Sequence, residues 1–262
     1  MVAIVGVVRL GVAWPGVALA MVLYAIRMFA VTAGLHRYFA HRSFETSRAM
    51  QFALGVVATL ACQQGVLWWT SQHRVHHRCA DTEHDPHAGS FWWSHVGWFL
   101  VHTHDETQWH QIADLSGYRE LRWLDRHYFI PVALFIAVLW FAGGVSAVVW
   151  GFCVSTVLLW HATFSLTSIA HRFGSRRYRT DDQSRNHPVV ALLTLGDGWH
   201  NNHHHYPRSV RHGFYAWEMD PTYLGIRVLA ALGLVWNLHV VPERVRARRL
   251  IEVETCRTPI VV

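Results

Sequence analysis

The chain contains 262 residues, of which 52% are hydrophobic, and it carries a formal net charge of +6. All 23 basic residues are Arg, which excludes chemistry that needs a lysine amine, such as Schiff-base formation or phosphate binding by a P-loop. The arginines form no compact basic patch, so we expect no nucleic-acid partner.

The first 35 residues predict a helical hairpin with one short arm. Residues 15–35 are apolar enough to cross a hydrocarbon core of about 30 Å, although they include Arg27. Residues 2–13 are apolar apart from Arg9, but at about 1.5 Å per residue they are too short to cross alone. Either the outer arm of this hairpin is short or the chain begins late.

A second hairpin is predicted over residues 129–170. Phe129–Ala170 contains no Asp, Glu, Lys or Arg, and Gly143-Gly144 lies near its middle. This length allows two spans joined by a tight turn. A buried hairpin of a soluble protein is the alternative, but soluble helices keep a polar face.

These segments together predict an all-α integral membrane protein with a single domain over residues 1–262. Its two hairpins, at about 2–35 and 129–170, supply four spans, the first of them short. The segments at about 36–128 and 171–250 contain the excess of Arg that is typical of cytoplasmic loops. We therefore expect a cytosolic helical cap, with the functional site facing the cytoplasm.

Histidines are concentrated where the chain leaves the predicted spans. The sequences "HRVHHRCADTEHDPH" at 73–87 and "HNNHHH" at 200–205 share a His-x-x-His-His spacing, which predicts three converging rings on one helix face. "HRYFAHRSF" follows the first hairpin at 36–44, and His171 follows the second. Imidazole is the commonest metal ligand, and so many rings exceed the need of one ion. The pattern predicts two metal ions.

Other metal motifs are absent from the sequence. It contains no His-Glu-x-x-His, so a zinc protease is not supported. It also contains no Glu-x-x-His, which disfavours a carboxylate-bridged di-iron bundle. A metal transporter would need ionisable residues within its spans, and residues 129–170 offer only His161 of that kind.

The order and spacing of these motifs resemble the integral-membrane fatty acyl desaturases of the stearoyl-CoA (delta-9) type. The similar stretches are "HRYFAHRSF", "HRVHHRCADTEHDPH" followed by "FWWSHVGW", then "SIAH" and "GDGWHNNHHHYP", over about residues 20–240. The resemblance implies O2-dependent insertion of a cis double bond at carbon 9 of a saturated acyl-CoA, in unsaturated fatty acid biosynthesis. It also implies two iron ions bound by nine histidines, namely His36, His41, His73, His76, His77, His171, His200, His203 and His204.

Several polar residues near these histidines are expected to orient the ligand rings. Thr167 occupies the position where the animal enzymes have an Asn that binds one metal through water. Four further candidates could accept imidazole N–H bonds, namely Asp81, Asp85, Asp197 and Asn201.

By resemblance, Trp69 and Trp98 are candidates for the wall of a bent apolar tunnel, and interfacial or core aromatics are the alternative. Four other histidines lie near the motifs but outside the ligand pattern of the family, namely His84, His87, His95 and His205.

The acyl carrier is left open by two departures from the animal enzymes. Those enzymes place Arg-Asp before the His73 trio and Arg-Lys after "SHVGW", where this chain has "TSQHR" and "VHTHDET". Because cations that would bind CoA phosphates are missing, a chain bound to a phospholipid or to a carrier protein is an alternative substrate. A related membrane di-iron hydroxylase is an alternative reaction. Besides membrane lipid, we expect a separate electron donor such as ferredoxin, or cytochrome b5 with its reductase.

Overall fold

The fold is mainly helical, and two of its helical segments are long and apolar enough to cross a membrane. This computed structural model describes residues 1–102 and 105–251. The two segments are Trp14–Ala40 and Phe129–Ser168, and they coincide with the main apolar stretches of the two predicted hairpins.

The N-terminal hairpin consists of a short helix and a long one. Helix α1 covers Val2–Leu10, and α2 covers Trp14–Phe29 with a proline in its first turn. Helix α2 continues without interruption as a π-helix over Ala30–Ala40. With nine residues, α1 is about 14 Å long, which is too short to cross a hydrocarbon core alone.

The second hairpin reverses direction at its glycine pair. Helix α7 (Phe129–Ala147) is interrupted at Gly143 and Gly144, and Gly144 adopts a φ of 59° in the left-handed region that favours glycine. A π-helix over Val148–Val154 and then α8 (Ser155–Ser168) complete the returning arm. The rings of Phe135 and Phe152 lie 6.2 Å apart, whereas a straight helix would separate them by about 25 Å.

Arg27 joins the two hairpins in the interior of the fold. Its side chain is 1% exposed. It donates hydrogen bonds to Leu60 O at 2.9 Å, Ser155 Oγ at 2.8 Å and Thr156 Oγ1 at 2.6 Å. These bonds satisfy N–H donors of the buried guanidinium. The apolar sequence around Arg27 does not predict a buried cation at this position.

The other named helices and the two strands are grouped here under the name cap. They are β1 (Glu45–Thr46), α3 (Arg48–Thr59), α4 (Val66–Cys79), α5 (Ala113–Ser116), α6 (Arg119–Arg126), α9 (Pro188–Leu193), α10 (His200–His205), α11 (Pro221–Ala231), β2 (Val235–Trp236) and α12 (Glu243–Arg246). Strands β1 and β2 pair antiparallel, with Glu45 opposite Trp236, and they are a small addition to the predicted all-α fold. A π-helix over Trp93–Gly97 and a 3₁₀ turn over Trp98–Leu100 form a stretch that we call the 93–100 segment. A further 3₁₀ turn covers Trp109–Gln111.

The start of α4 is fixed by a carboxylate from α6. Asp125 Oδ1 accepts hydrogen bonds from the backbone N–H groups of Leu67 at 2.7 Å and Trp68 at 3.0 Å, which otherwise lack partners in the first turn. A Cβ atom at Gly65 would collide with this carboxylate, so only glycine allows the close approach. The register of α4, and therefore the direction of its histidines, depends on this contact.

Candidate metal centre

All nine histidines that the sequence singles out lie together in two groups. Within each group, one ring nitrogen of every residue lies within 4.8 Å of the corresponding nitrogens of the others. The five-histidine group contains His36, His41, His73, His77 and His203. The four-histidine group contains His76, His171, His200 and His204.

Each His-x-x-His-His motif contributes to both groups, so the three rings of each motif lie close together as expected but are divided between two centres. In α4, the i and i+4 residues His73 and His77 join the five-histidine group, while His76 joins the other. In α10 the assignment is reversed: His200 and His204, at i and i+4, belong to the four-histidine group, and His203 belongs to the five-histidine group. Consecutive residues of a helix are rotated by about 100°, so the i+3 and i+4 rings diverge enough to serve two centres.

Ring nitrogens within each group lie unusually close to one another. The Nε2 atoms of His36 and His77 each lie 2.9 Å from His203 Nε2. In the other group, His200 Nε2 lies 3.0 Å from His171 Nε2 and 3.1 Å from His204 Nε2. Imidazole nitrogens that bind one first-row metal ion at about 2.1 Å are separated by about 3 Å when their bonds are at right angles. The spacing therefore fits metal coordination.

Carboxylates determine which nitrogen of several rings points inward. Four Nδ1 atoms donate to an aspartate oxygen, in the pairs His36–Asp197 (2.6 Å), His76–Asp85 (3.0 Å), His171–Asp81 (2.9 Å) and His204–Asp182 (2.7 Å). A neutral ring that donates from Nδ1 has a lone pair on Nε2. His76 Nε2 is buried and has no hydrogen-bond partner among the described residues. Such inward-facing lone pairs repel one another unless a cation lies between them, so the donor set fits a metal.

Burial in the site disfavours the charged form of six of the nine rings. Burial, reinforced by neighbouring positive charge, lowers the pKa well below the ordinary histidine value at His41, His73, His77, His200 and His203. Burial likewise lowers the pKa of His204 to about 4, although Asp182 opposes the shift. Because only neutral imidazole binds metal, the protein environment prepares these side chains for coordination.

Only some of the residues that were expected to orient the ligand rings contact those rings in the structure. Asp81, Asp85 and Asp197 accept imidazole N–H bonds as described above. Asn201 does not, because its Oδ1 accepts from the backbone N–H groups of Arg177 at 2.8 Å and Tyr178 at 2.7 Å. It therefore anchors a loop against α10 rather than a ring.

Thr167 bonds to the backbone rather than to a ligand ring. Its Oγ1 donates to Ser94 O at 2.9 Å and to Phe164 O at 3.2 Å. Thr167 also lies in the wall of the cavity described below.

Sequence reasoning missed a buried network behind Asp197. The Oδ1 atom of this aspartate accepts a 2.9 Å hydrogen bond from Arg37 and lies 3.1 Å from His212 Nδ1. Arg37 also pairs with Asp220 at 3.0 Å. Neither His212 nor Asp182 belongs to a His-x-x-His-His motif, so only their spatial proximity identifies them.

A cavity lined mainly by aromatic residues adjoins both groups of histidines. His36 and His73 from the five-histidine group, and His76 and His200 from the other, contribute to its wall. Trp69 and Trp98 line it as well, together with Trp68, Phe99, Trp160 and Phe164.

A chain of hydrogen bonds crosses the cavity wall beside His73. The Trp69 ring stacks on His73 with centroids 4.9 Å apart. Trp69 Nε1 donates to Gln63 Oε1, and Gln63 Nε2 donates to Thr163 Oγ1, each over 2.9 Å. These bonds link α4, the turn before it and α8, so they fix the shape of the wall.

None of the four histidines outside the ligand pattern joins either group. His84 is largely exposed, and His87 Nδ1 lies 3.1 Å from Asp85 Oδ1. His205 stacks on Tyr178 with centroids 3.9 Å apart.

Comparison with known proteins identifies the family. The family model for fatty acid desaturases matches residues 13–240. An sn-1 stearoyl-lipid 9-desaturase of Anabaena variabilis is 38% identical over 88% of this chain and 86% of its own length. An acyl-CoA 5-desaturase of Anemone leveillei is 36% identical over 90% of this chain and 75% of its own. An sn-2 palmitoyl-lipid 9-desaturase of a Nostoc species is 36% identical over 77% and 73%.

The chain belongs to the fatty acid desaturase family. It is therefore an oxidoreductase that desaturates fatty acyl chains, as the motifs indicate.

Proposed function

We propose that the protein uses O2, two external electrons and a His-ligated di-iron centre to introduce a cis double bond at carbon 9 of a saturated acyl chain. The observation that carries this proposal is the pair of imidazole groups, with inward-facing nitrogens, in the wall of an aromatic-lined cavity. The relatives from Anabaena variabilis and Nostoc, which are named as 9-desaturases, support the position of the double bond.

The five-histidine and four-histidine groups would each hold one iron ion. When bound, this centre supplies the oxidising chemistry needed for C–H bonds that are too weakly acidic for a general base. The aspartates behind the rings keep the Nε2 atoms directed at the metals and compensate part of their charge. Thr167, in the cavity wall, is a candidate to hold a water near the four-histidine group.

The cavity would position the acyl chain relative to the metals. Its aromatic wall excludes water and contacts methylene groups, while the Trp69–Gln63–Thr163 hydrogen bonds fix the part of the wall beside His73. A fixed wall selects one methylene pair, because a small displacement of the chain would present a different C–H bond. Trp69 and Trp98 thus serve as tunnel residues.

We propose a membrane lipid as the acyl carrier. Ser71 and Gln72 occupy the positions where animal enzymes have Arg-Asp, and both are buried. Ser71 Oγ accepts from Gln108 N at 3.1 Å, and Gln72 Nε2 donates to Glu106 O at 2.9 Å. These side chains hold a neighbouring loop instead of meeting phosphates. Acyl-CoA is the second candidate, because the Anemone leveillei relative is named as an acyl-CoA enzyme.

The same proposal includes four spans, with α1 as the short one, and a cytosolic cap. The Arg content of the cap and its place at one end of both hairpins support this orientation. The electron donor would be a separate protein, ferredoxin or cytochrome b5 with its reductase, that reaches the cap from the cytoplasm.

Expression in a host that lacks its own desaturase tests the reaction. Gas chromatography of each lipid pool is expected to show new cis-9 monoenes in phospholipids. Membranes given labelled stearoyl-phospholipid or stearoyl-CoA in parallel then separate the carriers, since prompt conversion of the CoA ester alone would refute the lipid assignment. Monoenes at another position would refute the assignment of carbon 9.

A further inference from the structure

One flank of the aromatic cavity is formed by two segments that are not consecutive in the chain. Trp98 and Phe99 come from the 93–100 segment, while Trp160 and Phe164 come from α8. The rings of Phe99 and Phe164 lie 4.9 Å apart, and both residues are only half-buried. The flank is therefore thin at this point, because the same rings contact the cavity and reach the surface.

Two histidines outside both metal groups connect these segments. His95 Nε2 lies 3.0 Å from His161 Nδ1, and His95 Nδ1 lies 2.9 Å from Ser168 Oγ. Ser168 Oγ also lies 2.9 Å from Phe164 O, which can only accept, so the hydroxyl donates there and accepts from His95 Nδ1. His95 Nε2 then accepts from His161 Nδ1. The chain of hydrogen bonds is complete with both rings neutral.

The two parts of the 93–100 segment are held by different kinds of contact. Its N-terminal part is anchored through Ser94, whose Oγ donates to His87 O at 2.7 Å and whose carbonyl accepts from Thr167 Oγ1 at 2.9 Å. Its C-terminal part contacts α8 through the ring of Phe99, which packs against Trp160 and Phe164, and the His95–His161 bond is a polar connection between the same two segments. A π-helix and a single 3₁₀ turn also have poorer hydrogen-bond geometry than an α-helix.

The surface outside this flank is apolar. Trp92 is 70% exposed and Leu100 is 71% exposed, at the two ends of the segment. On α8, Val157 and Leu158 are also exposed. His161 lies about two helical turns, or about 10 Å, before the end of α8 at Ser168. With the end of α8 at the membrane boundary, as the proposed function has it, the flank faces the upper acyl chain of a lipid whose headgroup remains at that boundary.

We propose that the acyl chain of a bilayer glycerolipid enters the cavity sideways, between the 93–100 segment and α8, and that the His95–His161 hydrogen bond holds this entrance closed. The proposal rests on the proposed function and specifies its substrate class as chains already present in the membrane. Separation of Phe99 from Phe164 opens the flank, and the headgroup stays outside. The bonds between the two rings and Ser168 require no charged group, so the pair can break and re-form without leaving a charge in an apolar setting.

Photolabelling tests the route. The iron-loaded protein is placed in nanodiscs with phosphatidylcholine that carries a diazirine at carbon 4 of its saturated chain, irradiated, digested and analysed by mass spectrometry. We expect labels on the 93–100 segment and on residues 160–167. Labels confined to other parts of the protein, in a preparation that forms monoenes, would overturn the entrance while leaving the proposed function intact. Labels at the entrance without monoene formation would instead count against the function.

A reversible cross-link between the 93–100 segment and α8 provides the second measurement. His95→Cys and His161→Cys are combined in a background with Ser at the four native cysteines and bridged by a short bis-methanethiosulfonate reagent. We expect loss of labelling on cavity residues Trp69 and Trp160, with full recovery after reduction. Each single Cys variant, treated identically, is the matched control. Because it lacks the His95–His161 bond, it should label more strongly than the background does. Undiminished labelling of the bridged protein would refute the closing role of the His pair.

Discussion

His36 Nε2 and His203 Nε2 lie 2.9 Å apart although 167 residues separate them in the chain. His36 lies in the π-helix that continues the first long span, whereas His203 lies in α10 of the cap. The Nδ1 atom of His36 donates to Asp197, so its Nε2 lone pair faces His203. Metal binding at this point would join the span to the cap, and folding of the cap is thereby coupled to metal occupancy.

Replacing one ligand of the four-histidine group should remove its metal. His76→Ala is expected to lose roughly half of the bound iron, because each group is proposed to hold one ion, and to lose desaturation entirely. Iron is measured by mass spectrometry on purified protein, and monoenes by gas chromatography. His84→Ala is the control, since His84 lies in the same motif but its side chain is 79% exposed. Full iron and activity in His76→Ala would remove this residue from the ligand set.

Asp181 and Asp182 are adjacent in the chain but differ in environment, so they allow a matched test of whether an aspartate orients a ligand ring. Asp182 accepts from His204 Nδ1, whereas the side chain of Asp181 is 98% exposed. Asp182→Asn should weaken iron binding by about 10–100-fold, because the ring of His204 loses its charged partner. Release of iron to a chelator measures the change. Asp181→Asn should behave as the unmodified protein, and equal release from both variants would contradict the assigned role of Asp182.

The hydroxyl of Thr163 is expected to control where the double bond forms. Thr163→Val keeps the shape of the side chain but removes the acceptor of the Gln63 hydrogen bond. The wall beside His73 is then less fixed, so we expect a roughly tenfold slower reaction and monoenes at more than one position. Mass spectrometry of dimethyl disulfide adducts locates the double bonds. Thr163→Ser retains the hydroxyl and should keep a single product; a single product from the Val variant would show that the bond is dispensable.

Removal of the buried Arg27 should destabilise the junction between the hairpins. Arg27→Met leaves Leu60 O without its donor and separates α2 from Ser155 and Thr156 of α8. We expect a loss of about 3 kcal/mol, visible as a lower thermal unfolding temperature in detergent micelles. Arg9→Met, at an exposed position of α1, is the control. An unchanged unfolding temperature would mean that the cost of burying the Arg27 cation equals the value of its bonds.

Residue spacing and the family resemblance together predicted which histidines meet, but not how they divide between the two groups. Each His-x-x-His-His motif places three rings on one helix surface whatever lies around it, which accounts for six of the nine candidates. The positions of His36, His41 and His171 beside the predicted spans, together with the resemblance, supplied the other three. Whether His76 or His77 faces a given centre depends on the rotation of α4, which the contact between Asp125 and the start of that helix sets. Asp182 and His212 have no local signal, because their roles arise from partners far along the chain.

For Asn201, the sequence predicted a contact with a ligand ring that the structure does not contain. This residue stands beside a predicted ligand in sequence, but the helical rotation of α10 turns its side chain to the backbone of residues 177 and 178. Proximity in sequence predicted a contact with a ligand ring, and the direction of the side chain excluded it.

The sequence by itself determined the helical class, the two long apolar segments and the candidate metal-binding side chains, because these depend on composition, on spacings within one helix and on motifs typical of a family. Only the tertiary structure decided the division into two groups, the aspartates behind the rings and the aromatic cavity between α4, α8 and the 93–100 segment. Those features depend on the distances between elements that are remote in the chain, and long-range packing alone sets such distances.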